Sequence, residues 1–271
     1  VYLFIAGPGV CSQTPAAPEA GEDAVQALKE RRPDTQVKDR VRLLYRIIET
    51  LNGENTGDLL NLGEEALELL KKHPDTALEI KILNRLIRAA GTRGLYGKMD
   101  AWSQYNVTAA EKHGDRELLG KALNRRGSVL YLLGKYTECI PFMDRAERIF
   151  RELGLKRDWA EQMGDYGRVY WKINDYTKAL EYFLKSCKVN EELGELRRAA
   201  YDYNNIAIIH YQMKSLDKSL EYYNKSLDIM EKIGGKTGIA MVLNNIAIIY
   251  AHQGKNQEAL ELYQRSLAIK K

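Results

Sequence analysis

The sequence predicts an all-α protein, a right-handed α-solenoid of repeated helical hairpins. The first observation is self-similarity, because the stretch Leu243–Lys271 nearly repeats Tyr203–Ile229 after a shift of 40 positions. The second is a series of glycines at the same interval, Gly114, Gly154, Gly194 and Gly234. A fixed period of about 20–50 residues is typical of stacked repeats, in which each unit buries its apolar face against its neighbours.

Each repeat divides into a first and a second helix. In the final repeat, Leu243, Ile246 and Tyr250 have the spacing of one face of a helix. The corresponding face of the second helix consists of Ala259, Leu262, Tyr263, Ser266 and Leu267. Between the two lies Gly254, and glycine commonly ends a helix in the left-handed conformation.

Small residues recur at two positions of the repeat. The position in the first helix is held by Gly127, Gly167, Ala207 and Ala247, and the position in the second helix by Cys139, Ala179, Ser219 and Ala259. Side chains of this size let two helix backbones approach closely. We therefore expect both positions to lie where the two helices of a hairpin pack, and we expect Cys139 and Cys187 to be buried core residues.

This order of small residue, aromatic residue, turn glycine, second small residue and second aromatic residue resembles the tetratricopeptide repeat. In the final repeat it is formed by Ala247, Tyr250, Gly254, Ala259 and Tyr263. The family's usual period is about 34 residues, so a period of 40 resembles its longer variants, the repeats of kinesin light chains and the N-terminal sensor arrays of bacterial signalling proteins. The resemblance covers roughly residues 38–271 and is strongest in the last three repeats.

Taken in order, the chain begins with an apolar run at residues 1–12 that is too short to span a bilayer. It is interpreted as a signal-peptide remnant, with lipidation at Cys11 or a meaningless fragment as alternatives. Residues 13–37 are expected to be a disordered lead-in with a short helix. The predicted hairpins are 38–74, 75–114, 115–154, 155–194, 195–234 and 235–271. The next glycine of the series would fall at position 274, so we expect the natural protein to continue beyond Lys271.

The sequence contains no recognisable catalytic or cofactor motif. It has no phosphate-binding glycine loop, no nucleophile elbow and no paired Cys/His spacing, so neither an enzyme, a cofactor nor a metal site is expected. The four histidines lie in separate hairpins. A net charge of +4 is mild for this length and does not call for nucleic acid, and no membrane span is expected within residues 1–271.

The side of each first helix that does not pack within the stack is the candidate site. In tetratricopeptide arrays that side lines a concave groove, and the resemblance implies the same here. The predicted groove residues are Lys81, Asn84, Arg88, Lys121, Asn124, Tyr131, Arg168, Trp171, Tyr201, Asn204, Ile208, Tyr211, Asn244 and Ile248. The repeated asparagine suits the backbone of an extended peptide. Alternatively, these asparagines only bond neighbouring helices.

We therefore predict a module that binds a peptide or protein segment, acidic near the second and third repeats and apolar towards the fifth. The resemblance implies the sensor or scaffold part of a larger bacterial signalling protein. The apolar leader places it in the extracytoplasmic (periplasmic) space, and without a leader it would be cytoplasmic. The alternatives are a structural scaffold without a groove ligand, and the regulatory front end of a kinase, a cyclase or a DNA-binding regulator.

Overall fold

The computed structural model describes residues 37–51 and 55–270, except for the side chain of Lys270. In this part the chain forms twelve α-helices and no strand. The predicted fold class, an all-α solenoid of helical hairpins, is confirmed. The predicted signal-peptide remnant and the lead-in up to residue 36 lie outside the described residues.

The helices fall into two compact units that divide between Leu153 and Gly154. The first unit contains α1 (Val37–Thr50), α2 (Thr56–Lys72), α3 (Thr76–Thr92), α4 (Tyr96–His113), α5 (Arg116–Leu132) and α6 (Tyr136–Glu152). The second contains α7 (Lys156–Lys172), α8 (Tyr176–Glu192), α9 (Leu196–Gln212), α10 (Leu216–Lys232), α11 (Lys236–His252) and α12 (Asn256–Lys270). Odd-numbered helices are the first helices of hairpins and even-numbered helices the second.

The predicted close packing of the small residues is confirmed. A Cβ atom added to Gly167 would lie 2.8 Å from three ring carbons of Phe183, and one added to Gly127 would lie 2.8 Å from the Cγ atom of Met143. Contacts this short have no room for an extra atom. The second helix of each hairpin therefore rests directly on the backbone of the first.

In each hairpin of the second unit, a serine hydroxyl of the second helix forms a hydrogen bond to the backbone of the first helix. Ser186 in α8 donates to the carbonyl of Ala160 in α7 at 3.0 Å. The same bond recurs 40 residues later from Ser226 to Ala200 (2.7 Å) and 80 residues later from Ser266 to Ala240 (2.8 Å). Because these groups are buried, each bond satisfies a hydroxyl that would otherwise be costly to desolvate.

The turns inside the hairpins from α3 onwards each contain a left-handed residue. Gly134 and Gly254 supply it at φ 76° and 77°, but Asn174 and Lys214 adopt the same conformation at φ 62° and 61°. Asparagine tolerates this region, whereas lysine does so at a steric cost. The second unit therefore carries local strain at Lys214.

The two cysteines of the described residues are buried, as predicted. Burial raises the pKa of the Cys139 thiol to about 11 and that of Cys187 to about 12. Both thiols thus remain protonated and behave as small apolar side chains. None of the described helices is both long enough and apolar enough to cross a membrane.

Candidate functional site

In the first unit, the predicted groove residues lie at the surface of α3 and α5. Lys81 and Arg88 are exposed on α3. Lys121 is half-buried and forms an ion pair with Glu117 one turn earlier on α5 at 2.5 Å. Asn124 and Tyr131 are also half-buried on α5. This side of the first unit therefore presents positive charge to solvent, with Lys81 and Arg88 as its most accessible groups.

Two nearby polar residues have structural roles instead. Arg85, next to Asn84 on α3, donates from Nη2 to the carbonyl oxygens of Ile48 (2.7 Å) and Leu51 (2.5 Å). It thereby satisfies carbonyl groups at the end of α1. Burial, followed by the charge of Arg88, lowers the pKa of its guanidinium. Asn84 accepts a hydrogen bond from Nδ2 of Asn106 on α4 at 3.0 Å.

The second unit corrects the prediction at four positions. Tyr201, Asn204, Ile208 and Ile248 are at most 8% exposed, so they do not present open groove surface. The physical reason is the close approach of neighbouring first helices. Nδ2 of Asn245 on α11 donates to Oδ1 of Asn204 on α9 at 2.9 Å. At this position the asparagine bonds a neighbouring helix, as the alternative interpretation held.

The remaining predicted residues of this unit, Arg168, Trp171, Tyr211 and Asn244, are half-buried. They lie on first helices around the buried positions, and we call these four the first-helix face of the second unit. Arg168 pairs with Asp165 one turn earlier on α7, and both side chains are nearly buried. Their charges neutralise each other, so the face is polar without a free positive charge at Arg168.

Two aromatic residues of this face make equivalent polar contacts. Nε1 of Trp171 donates to Oε1 of Gln212 at 2.6 Å. Forty residues later, the hydroxyl of Tyr211 bonds Nδ1 of His252. Burial raises the pKa of Tyr211, so its hydroxyl stays protonated. Sequence reasoning missed Gln212 and His252, although the shared spacing of 41 residues between partners was a detectable signal.

A small pocket opens at this face. It is a shallow depression rather than an enclosed cavity, and it is lined by Arg168, Trp171, Phe183, Asn205 and Ile208. Three of these residues were predicted for the site. Phe183 and Asn205 were not. The lining combines two aromatic rings, an aliphatic side chain, an amide and a paired guanidinium.

A second polar cluster is fully buried between α7, α8 and α9. The carboxylate of Asp202 accepts hydrogen bonds from Ser186 Oγ (2.7 Å) and Asn190 Nδ2 (3.0 Å). Burial raises the pKa of Asp202 to about 7, although both hydrogen bonds and the charges of Arg168 and Arg198 act against the rise. All three side chains are buried, so they bond one another inside the second unit. Among the described residues, no group of three or more His, Cys, Asp or Glu side chains could hold a metal.

The solved structures most useful for comparison share this architecture at low sequence identity. RapI in its apo form has a TM-score of 0.70 at 19% identity, over 92% of this chain and 69% of that one. A Rap protein complexed with Competence and Sporulation Factor has a TM-score of 0.67 at 17% identity, over 92% and 68%. Kinesin light chain TPR-like repeats from Podosopora anserina have a TM-score of 0.60 at 14% identity, over 70% and 94%. At such identities the likeness shows the fold alone.

A family model matches this sequence, although no curated protein does. The tetratricopeptide repeat model matches residues 118–192 and 198–271, which together make up more than half of the chain. Those segments contain the small-residue positions and the turns described above. The chain therefore belongs to the tetratricopeptide repeat family, whose repeats are generally non-catalytic modules of protein interaction.

Proposed function

We propose that the first-helix face of the second unit binds an extended segment of a partner protein or peptide, one apolar side chain of which packs against Trp171 at the shallow pocket. The pocket is the observation that carries the proposal. The pocket is a shallow depression and encloses no cavity of the kind that holds a cofactor. It offers a contact surface to one side chain of a longer ligand.

The chemistry of the lining supports a peptide over other ligands. Trp171 provides the accessible apolar surface, with Phe183 and Ile208 buried beside it, and tryptophan and arginine are enriched among the residues that dominate binding energy. The amide of Asn205 carries both a donor and an acceptor, which is the pair that a peptide backbone offers in return. Binding of this kind requires a preformed surface and no bond-making step.

The first unit supports a finer proposal about charge. Lys81 and Arg88 project from α3 into solvent, and neither forms an ion pair among the described residues. We propose that this unit favours an acidic segment. Exposed charges of this type act mainly through the rate of association and through specificity, and their effect falls as salt rises.

The wider context is also a proposal. We propose that the chain is the sensor part of a larger bacterial signalling protein, in the extracytoplasmic space if the apolar run at residues 1–12 is a leader. The Rap protein of similar fold, complexed with Competence and Sporulation Factor, is a precedent for a bound partner on such a fold.

A scaffold that works through its second helices is the second candidate. Half-exposed Tyr182 on α8 and Tyr222 on α10 carry the ammonium groups of Lys185 and Lys225 at 5.1 and 4.7 Å from the ring centroids. This repeated arrangement is an alternative docking surface.

Selection from a random peptide library distinguishes these functions. Trp171→Ala is expected to lower the enrichment of bound peptides at least about tenfold, because it removes one wall of the pocket. Leu184→Ala, at an exposed position of α8, is the matched control and should leave enrichment unchanged. Equal enrichment by the parent and Trp171→Ala would refute the proposal. If Tyr182→Ala and Tyr222→Ala lower the enrichment of bound peptides and Trp171→Ala does not, the result favours the scaffold.

A further inference from the structure

The ends of helices α7 and α9 carry exposed apolar side chains at one edge of the second unit. Ile173 and Met213 cap the two helices at equivalent positions, 40 residues apart, and are 37% and 47% exposed. The helix ends are joined, because Nε1 of Trp171 donates to Oε1 of Gln212 at 2.6 Å. The term turn edge is used below for Lys172, Ile173, Met213 and Lys214.

The residues equivalent to Ile173 and Met213 in other hairpins are polar or less exposed. Arg93 and Gln253 are polar, and Leu133 is half-buried. The residues that follow at the turn edge, Asn174 and Lys214, adopt the left-handed conformation, whereas the turns after α3, α5 and α11 use glycine there. Lysine does so at a steric cost, and strained backbone is common at binding sites. The chain thus keeps a charged side chain beside the exposed apolar residue although glycine would be less strained.

The turn edge also carries positive charge that no neighbouring carboxylate neutralises. Lys172, Lys214 and the nearby Lys218 are exposed, and none of them forms an ion pair within the part of the chain that the structure describes. Of the acidic residues close by, Asp175 pairs with a lysine of α8 at 3.4 Å. Asp217 lies in the first turn of α10, where the helix dipole favours a negative charge. A partner with carboxylates would therefore complement this edge.

We infer that the turn edge is a docking surface for an acidic amphipathic segment of a partner protein. Apolar side chains of the segment would cover Ile173 and Met213, and its carboxylates would meet Lys172 and Lys214, which favours association and specificity. A lipid bilayer fits less well, because membrane affinity grows with the apolar area that is buried, and two side chains bury little. The inference does not depend on peptide binding at the shallow pocket, although the two sites adjoin at Trp171.

A random peptide library is the probe. We expect the parent chain to enrich peptides that contain both acidic and apolar residues. Ile173→Ser with Met213→Ser should lower the enrichment of these peptides about tenfold, because it removes the apolar contact. Lys172→Glu with Lys214→Glu should have an effect of about the same size at low salt, and a smaller effect as ionic strength rises.

Each double variant has a matched control in the same unit. Leu193→Ser with Leu196→Ser changes two side chains that are 40% and 41% exposed at the turn between α8 and α9. Lys188→Glu with Lys232→Glu reverses two exposed charges on the second helices α8 and α10. Both controls should leave enrichment unchanged, and all four variants should keep the helical circular dichroism of the parent, because the substituted side chains are exposed.

The inference requires a loss of enrichment through both turn-edge variants. It is overturned if the parent enriches no such peptides, if either turn-edge variant binds like the parent, or if the controls lose as much. Loss through Trp171→Ala alone would keep the proposed function and refute this inference, whereas loss through the turn-edge variants alone would do the reverse. Sedimentation with phosphatidylserine and phosphatidylcholine vesicles tests the membrane. Vesicle binding that both turn-edge variants abolish, without any change in peptide capture, would assign the edge to a membrane instead.

Discussion

Gly164 and Asp202 lie next to each other, and each differs from the residue type found at its position in neighbouring repeats. Gly164 stands at the position that asparagine holds in the neighbouring repeats, and a Cβ atom on it would lie 3.6 Å from Oδ1 of Asp202. Asp202 in turn stands where the next repeat has the apolar Val242. The carboxylate of Asp202 on α9 thus lies beside a position of α7 that has no side chain. The exchange leaves an acidic group in the core of the second unit.

This burial makes the stability of the chain depend on pH. The pKa of Asp202 is raised from 3.8 to about 7, so protonation favours the folded state. Its contribution is fully present below about pH 4 and is lost as pH rises to about 7. Asp202→Asn is expected to remove this dependence and to be more stable than the parent at pH 8, by a few kcal/mol at most. Urea denaturation of both proteins at pH 4.5 and pH 8 measures it. Parallel pH profiles would contradict the prediction.

The two glycines of α7 should respond differently to the same change. Gly167→Ala places a Cβ atom 2.8 Å from the ring of Phe183 and is expected to cost about 1–3 kcal/mol. Gly164→Ala meets its neighbours at ordinary distances of 3.5 and 3.6 Å, and alanine favours the helix by up to about 1 kcal/mol. Gly167→Leu and Ala247→Leu should be worse still. If chemical denaturation gives Gly164→Ala a lower free energy of unfolding than Gly167→Ala, the packing described here is wrong.

Much of this architecture was readable from the sequence because it is local. The period of 40 residues, the small residues and the turn glycines each depend on contacts within one hairpin. The burial of Asn204 and Ile208 was not readable, because it depends on how closely α9 and α11 approach. The role of Arg85 was hidden for a similar reason, since its acceptors lie 37 and 34 residues earlier. Helical register shows which side of a helix a residue faces, but not what lies there.

The contact between Asn245 and Asn204 is expected to contribute to stability. Asn245→Ala removes the donor to Oδ1 of Asn204 within a buried site, and should cost about 1–3 kcal/mol. Asn244→Ala is the control, because Asn244 is half-buried on the same helix. Thermal denaturation should separate the two variants. If both variants lose a similar amount of stability, the hydrogen bond between Asn245 and Asn204 does not contribute more than an ordinary half-buried contact.

The strain at Lys214 predicts a stabilising substitution. Lys214→Gly relieves a left-handed lysine and should raise the free energy of unfolding by about 0.5–1 kcal/mol. The gain is reduced by the greater freedom of glycine in the unfolded chain. Lys218→Gly, at an exposed position inside α10, is the opposite control and should destabilise. A loss of stability in Lys214→Gly would show that its backbone conformation is not strained.

The last prediction concerns the charge of the partner. Among the predicted basic groove residues of the first unit, Lys121 already pairs with Glu117, whereas Lys81 and Arg88 are exposed on α3. Lys81→Glu with Arg88→Glu should lower the capture of acidic peptides about tenfold at low salt, and the difference should shrink as ionic strength rises. Lys72→Glu with Lys112→Glu makes the same change in net charge at exposed positions of the second helices α2 and α4. If both pairs weaken capture equally, net charge rather than the α3 surface attracts the peptide. If neither pair of substitutions weakens capture, the acidic partner of the α3 surface is excluded. The proposed binding at Trp171 is unaffected by this result, because Trp171→Ala tests it separately.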